Sequence, residues 1–393
     1  MKLFHGTLVA LISLGCAQVA AAQISSSTLT AFNQAVETGD ASAIEVASTN
    51  LINEAIANPD DPDALIAAYE AALKLCDIDC AAALPGAEFA LGFPATGQHP
   101  IMAERELLAA FASFTAESTR DTRRELLAAL NNMEDPTLLS ARAFMPLYAD
   151  LASRDNLGDA AAVAGLAVRE LRPVRSSVLQ YYLHAAETHA TTSFLEVKTE
   201  ESHEALVRWN AELRELRTSI GLNQAPEWLR LAYWRSEAWI GAANAFYASV
   251  SDDGETTGRN GRERVSFLSE EEVNSIYGEY SLSTEFDPFM TVEDGETTNP
   301  VCVLRSNLRP RPRFPSGALR SGTIGYVLLH FDLDEDGDVI SPSVVASVPP
   351  DVFDEMVEDT VSRWRFEVDD ELSEPDCYFQ RSNIVYPISF EFQ

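Results

Sequence analysis

Positive charge is what this chain has least of. Its 393 residues carry 28 lysines and arginines against 61 aspartates and glutamates, a formal charge of -33. That excess repels phosphate backbones and anionic bilayer surfaces alike, so nucleic acid is excluded as an expected partner. Long apolar runs are missing as well. The apolar stretch around residues 8–14, with its small-residue flank, reaches about 15 positions, short of the roughly 20 that span a bilayer. Membrane contact is therefore expected only through a retained N-terminal segment. A glycine-rich phosphate loop, metal ligands at paired spacing and a nucleophile with its base at motif spacing are all absent from the sequence. No catalytic residue, cofactor or metal is expected, and a binding role outranks catalysis.

Three near-misses have ordinary readings. HAAETH places His184 and His189 five apart around Glu187, whereas a zinc protease needs its histidines four apart with the glutamate beside the first. These read as polar positions on a helix surface. Asp332, Asp334, Asp336 and Gly337 follow the first half of a calcium loop. The closing bidentate glutamate, however, is replaced by Ser343, and the flanks alternate as strands, so a hairpin turn is the better account. Cys76 and Cys80 form CxxxC with no second ligand pair nearby, which disfavours zinc.

What is present begins with a targeting segment. Lys2, an apolar middle and Ala20-Ala21-Ala22 before Gln23 read as a cleavable signal over residues 1–22, implying export. A lipoprotein signal at Cys16 ranks second, because Ser13 stands where an aliphatic residue belongs. A third reading retains the segment as an inner-membrane anchor facing the periplasm. Export leaves four cysteines, an even number, and the simplest disulfides are Cys76 to Cys80 and Cys302 to Cys377.

At 46% hydrophobic residues, the chain has apolar content for two or three packed domains. Residues 23–250 are helical in pattern. Alanine-rich runs at 41–57 and 62–75 flank the breaker NPDDPD, and further helix pairs are expected at 159–171 with 174–190 and at 202–220 with 225–248. The hairpins have the size of tetratricopeptide-like repeats but no strict period, predicting an irregular helical-repeat or bundle domain of the kind that binds peptides or proteins. Trp228, Tyr233, Trp234, Trp239, Phe246 and Tyr247 fall at helical spacing and are expected in its core. Residues 251–300 open with SDDGETTGRNGRER and form a linker and bridging segment.

The most specific stretch is residues 301–393. Val327, Leu329, Phe331 and Leu333 are the apolar set of a period-two strand, Asp336-Gly337 sits in a turn, and residues 339–346 return as the second arm. Phe353, Met356, Val357, Val361 and Trp364 then make one face of an amphipathic helix expected to run to RWRF, with acids in its first turn and arginines at its end. Residues 384–392 form a last strand. Pro387 lacks an N–H, so this strand is expected at a sheet edge with that position unpaired. Arg305, Arg309, Arg311, Arg313 and Arg320 crowd the opening of the domain, either solvated or recognising an acidic segment.

Here the chain resembles a known family. RPRPRFP is similar to the R-x-x-P-x-Y-P opening of the TonB C-terminal domain, with Arg309, Pro312, Phe314 and Pro315 on the matching positions and Phe in place of Tyr. The G-x-V-x-x-x-F-x-x-D-x-D-G-x-V hairpin, the WRF motif and the closing Pro-Ile-x-Phe agree in order and spacing. The resemblance fits the fold that the patterns predict, an α+β multidomain chain whose all-α region is followed by a small ββαβ domain with its helix packed on one face of a small antiparallel sheet. It implies a periplasmic module that pairs with a segment of an outer-membrane receptor, or of another periplasmic protein, by strand addition in TonB-dependent, energy-coupled transport. The partner-binding residues it suggests are Arg309, Phe314, Pro315, Ile384, Val385, Tyr386, Ile388 and Phe390. Energy-coupled members carry a serine and a histidine in a retained N-terminal helix; His5 and Ser13 here do not follow that order. The alternative is a periplasmic helical ligand-binding protein or hydrolase, with the TonB-like part as a structural module.

Overall fold

The computed structural model describes residues 23–92, 104–221, 224–251, 266–284, 302–369, 371–374 and 377–390. The targeting segment and most of the bridging segment lie outside them. The chain forms two compact units, residues 1–135 and 136–393.

The first unit holds α1 (Ser26–Thr38), α2 (Ala41–Ala57), α3 (Ala64–Leu75), α4 (Leu84–Gly92), α5 (Arg105–Ala116) and α6 (Arg120–Asn131), each packed on its sequence neighbour. Local chemistry sets their ends. Gly39 takes a left-handed conformation that stops α1, and the Asp40 carboxylate caps α2 at Ala43 N. Ala64, Ala67, Ala68, Ala71 and Ala72 are buried along α3, so its backbone lies close to its neighbours. The Cys76 and Cys80 sulfurs are paired just after that helix.

The second unit begins with α7 (Leu138–Ser153), α8 (Leu157–Leu171), α9 (Leu179–Glu196), α10 (Glu200–Ile220), α11 (Glu227–Ser251) and α12 (Glu270–Glu279). Capping boxes at Thr137/Ser140, Thr199/Ser202 and Ser269/Glu272 begin three of these helices. Tyr233 and Trp234 are buried as expected of a helical core, while Tyr247 is exposed beside Phe267. A buried polar cluster joins α10, α11 and α12. Arg214 grips Glu237 through two hydrogen bonds of 2.6 and 2.7 Å, and Asn210 bonds Ser236 and Glu237.

Then come β1 (Leu304–Leu308), α13 (Ser316–Ser321), β2 (Gly325–Leu333), β3 (Val339–Val348), α14 (Asp354–Val361), β4 (Arg365–Val368) and β5 (Ile384–Phe390). The expected ββαβ order is present, and the antiparallel sheet runs β3-β2-β5. Two details differ from the sequence reading. The helix stops at Val361, and RWRF straddles a turn and the start of β4, because Arg365 and Phe366 pair with β1. Trp364 still reaches the core: it is 1% exposed, with its indole N–H donated to Pro310 O at 2.8 Å. The β1-β4 ribbon, formed partly by residues with no assigned pattern, is tied by the Cys302–Cys377 disulfide and by Cys302 N–H to Tyr378 O.

The second difference concerns the sheet faces. α14 covers Val327, Leu329 and Phe331, with Phe353, Val357 and Val361 in one core. The opposite face, with Leu328 and Val385 at 0% exposure, is buried as well, because α11 lies across β2, β3 and β5. Gly241 is what lets α11 approach: a Cβ there would stand 2.2 Å from the Tyr326 ring. The hairpin turn is held by the Asp334 carboxylate, which accepts from Asp336 and Asp338 N–H, while Gly337 adopts φ 82° against the backbone of Phe366. The acids of this turn serve its own geometry; among the described residues no group of acids, histidines or cysteines is placed to hold a metal ion.

Candidate partner-binding edge

β5 is an edge strand whose ladder partner among the described residues is β2. The direction of its main-chain groups follows from the hydrogen bonds at the end of the hairpin. Leu333 donates to Arg381 O on the β5 side at 2.7 Å, and Asp334 donates to Asp338 O on the β3 side at 3.0 Å. Successive residues of a strand point opposite ways, so the odd positions of β2 bond to β5. Those positions pair with Ile384, Tyr386, Ile388 and Phe390. Val385, Pro387 and Ser389 therefore turn their main chain outward: two N–H groups, at Val385 and Ser389, and three carbonyls. Pro387 stands opposite Leu328, where no donor is required of it.

The side chains of the suggested binding residues are distributed differently. Ile384, Ile388 and Phe390 are buried in the α14 core, with Tyr386 packed against it, and Val385 is buried on the α11 face. They fix the strand against the domain, so that what it presents outward is its backbone. Phe314 packs edge-on to Phe353 and Phe390, with centroids 5.7 Å from each, and Pro315 opens α13. The Arg309 guanidinium lies 4.7 Å over Trp364 and 4.8 Å over Tyr386. The structure thus gathers Arg309, Phe314 and the β5 residues into one side of the domain. Ser389, an outward position, is not among the residues the sequence suggests, yet it lies two residues beyond Pro387, and strand parity alone could have found it.

The helical part of this unit has a cleft of about 250 Å³ between α8, α9 and α10, lined by Arg172, Tyr182, His189, Arg208, Trp209 and Glu212 among others. Its polar groups answer one another. The Tyr182 hydroxyl donates to Glu212 at 2.9 Å, Arg172 and Arg175 approach that carboxylate at 3.6 and 3.7 Å, and Arg208 bridges Glu204 and Glu279. Burial pushes the Tyr182 hydroxyl well above its ordinary range, with Glu212 adding to the effect. These groups join helices. The HAAETH residues also have structural partners: Tyr148 for His184, Ala161 O for His189 and Arg235 for Glu187.

Residues 310–390 match a family model described as Gram-negative bacterial TonB protein C-terminal. A curated relative, Protein TonB of Yersinia enterocolitica, is 32% identical over 59 residues, which is 15% of this chain. The chain spans only 23% of that relative's length. No helix of the described residues is long and apolar enough to cross a membrane.

Proposed function

We propose that this is an exported periplasmic protein whose TonB-like domain captures an extended segment of an outer-membrane receptor, or of another periplasmic protein, by adding it as a strand to β5. The single observation that carries the reading is the outward row of main-chain groups at Val385, Pro387 and Ser389 on an edge strand. Main-chain pairing supplies affinity in such complexes, and an unpaired row is the template it requires. The domain match and the partial likeness to a TonB protein support TonB-dependent transport as the setting. In this reading residues 23–250 are an irregular tetratricopeptide-like region, residues 301–393 are the strand-binding domain, and the role is binding with no catalytic step.

Amide hydrogen exchange on the full chain tests it. Titration with a synthetic peptide from the periplasm-facing N-terminal segment of a receptor slows exchange at Val385 and Ser389, and N-methylating alternate peptide amides abolishes the protection. Saturable binding with both amides still exchanging freely would refute strand addition here.

A further inference from the structure

The edge strand has a charged companion. Arg309 rests on Tyr386 and Phe314 on Phe390, so residues 309–314 run alongside β5, over the sheet face that α14 leaves to them. In an extended segment alternate residues point to opposite sides. Pro310, Pro312 and Phe314 are half-buried against the domain, whereas Arg309, Arg311 and Arg313 are exposed. Three arginines elsewhere in this domain have carboxylate partners, Arg305 with Glu367, Arg363 with Asp359 and Arg365 with Asp338, while Arg381 lies over the Phe379 ring. Among the described residues Arg311 and Arg313 have none. In a chain with a charge of -33, a row of unneutralised cations beside an open edge stands out.

We propose that this row selects the partner strand: the captured segment is acidic, with carboxylates at every second position. The inference rests on strand addition at β5 and specifies what is added. A strand paired to the outer edge of β5 sends alternate side chains to the face on which residues 309–314 lie. Those side chains recur about every 6.6–6.8 Å, close to the repeat of alternate residues in the extended arginine segment, so two carboxylates meet two guanidiniums in register. Arg309, held on two aromatic rings, anchors the row. Charge complementarity at such a rim sets partner choice and encounter rate more than raw affinity.

The test uses the full chain and three eight-residue peptides of one β-prone sequence, carrying Glu, Gln or Lys at every second position. Dissociation constants come from fluorescence anisotropy at low and high salt, and edge occupancy from exchange at the Val385 and Ser389 amides. The expected order is Glu tighter than Gln tighter than Lys. Each step is roughly three- to tenfold at low salt, the range of two rim ion pairs, and shrinks as salt rises. The double variant Arg311→Glu/Arg313→Glu inverts the order, and both positions are exposed, so the fold is unaffected. The salt dependence of the unaltered protein answers the same question without a variant. Equal affinities with both amides protected would overturn the arginine row and leave strand addition standing. A charge-ordered series without amide protection, or no binding by any peptide, would overturn strand addition and this inference with it.

Discussion

Replacing Gly241 by alanine tests whether the helices of the second unit and its sheet pack as one body. The new methyl would stand 2.2 Å from Tyr326 Cζ, whereas carbon atoms rest at about 3.5–4.0 Å, so ring or helix must move by more than ~1 Å. Overpacking of this kind costs about 1–3 kcal/mol, and alanine in a helix interior returns about 1 kcal/mol relative to glycine. At the middle of that range the clash outweighs the helical gain, and a net loss of about 1 kcal/mol is expected. In a Tyr326→Ala background the obstacle is gone and the same substitution should stabilise by just under about 1 kcal/mol, a coupling of about 2 kcal/mol between the two sites. Urea titration followed by tryptophan emission is suited to this, because Trp209, Trp228, Trp234, Trp239 and Trp364 all lie in residues 136–393. If Gly241→Ala shifted the midpoint upward by the same amount in both backgrounds, α11 would not be seated on the sheet and the second face would be open.

Two further outcomes follow from the same unit. Cys302 and Cys377 are 75 residues apart, and loop-closure entropy gives about 4.5 kcal/mol for a bridge of that span. Reduction, or Cys302→Ser with Cys377→Ser, should lower the urea midpoint accordingly, and an unchanged midpoint would mean that the bridge constrains nothing the unfolded chain is free to lose. Tyr326, half-buried beneath α11, has its hydroxyl pushed up to about 12 from 10.0 by desolvation, with Glu237 adding to the effect. The unfolded chain ionises first, so this group's contribution is fully present below pH 10 and is lost between pH 10 and about 12, at about 1.4 kcal/mol per unit. Stability measured at about pH 9, 10 and 11 should fall less steeply in Tyr326→Phe than in the parent; identical slopes would show that α11 does not cover the Tyr326 hydroxyl.

How far the chain alone can be read is clearest in its last strand. Pro387 has no N–H, and that single covalent fact implies an edge position; parity then makes Val385 and Ser389 its outward companions. The helices are legible for a similarly local reason, since alanine-rich runs and their Asp, Thr and Ser caps are written within a few residues of one another. The even cysteine number points to Cys302 with Cys377, which the structure joins.

Other features depend on residues far apart in the chain. RWRF continues the helical pattern, yet Arg365 and Phe366 belong to a strand because β1, some 60 positions earlier, offers its backbone to them. Leu328 and Val385 look like the solvent side of a one-faced sheet until α11, through the gap at Gly241, comes to cover them. The open edge of β5 divides the same way. Its unpaired character was determined locally by a missing donor, while the placement of Arg311 and Arg313 beside it was decided by ring contacts from Arg309 to Tyr386 and from Phe314 to Phe390. Pattern within a segment reports which side is apolar and never which distant element will meet it.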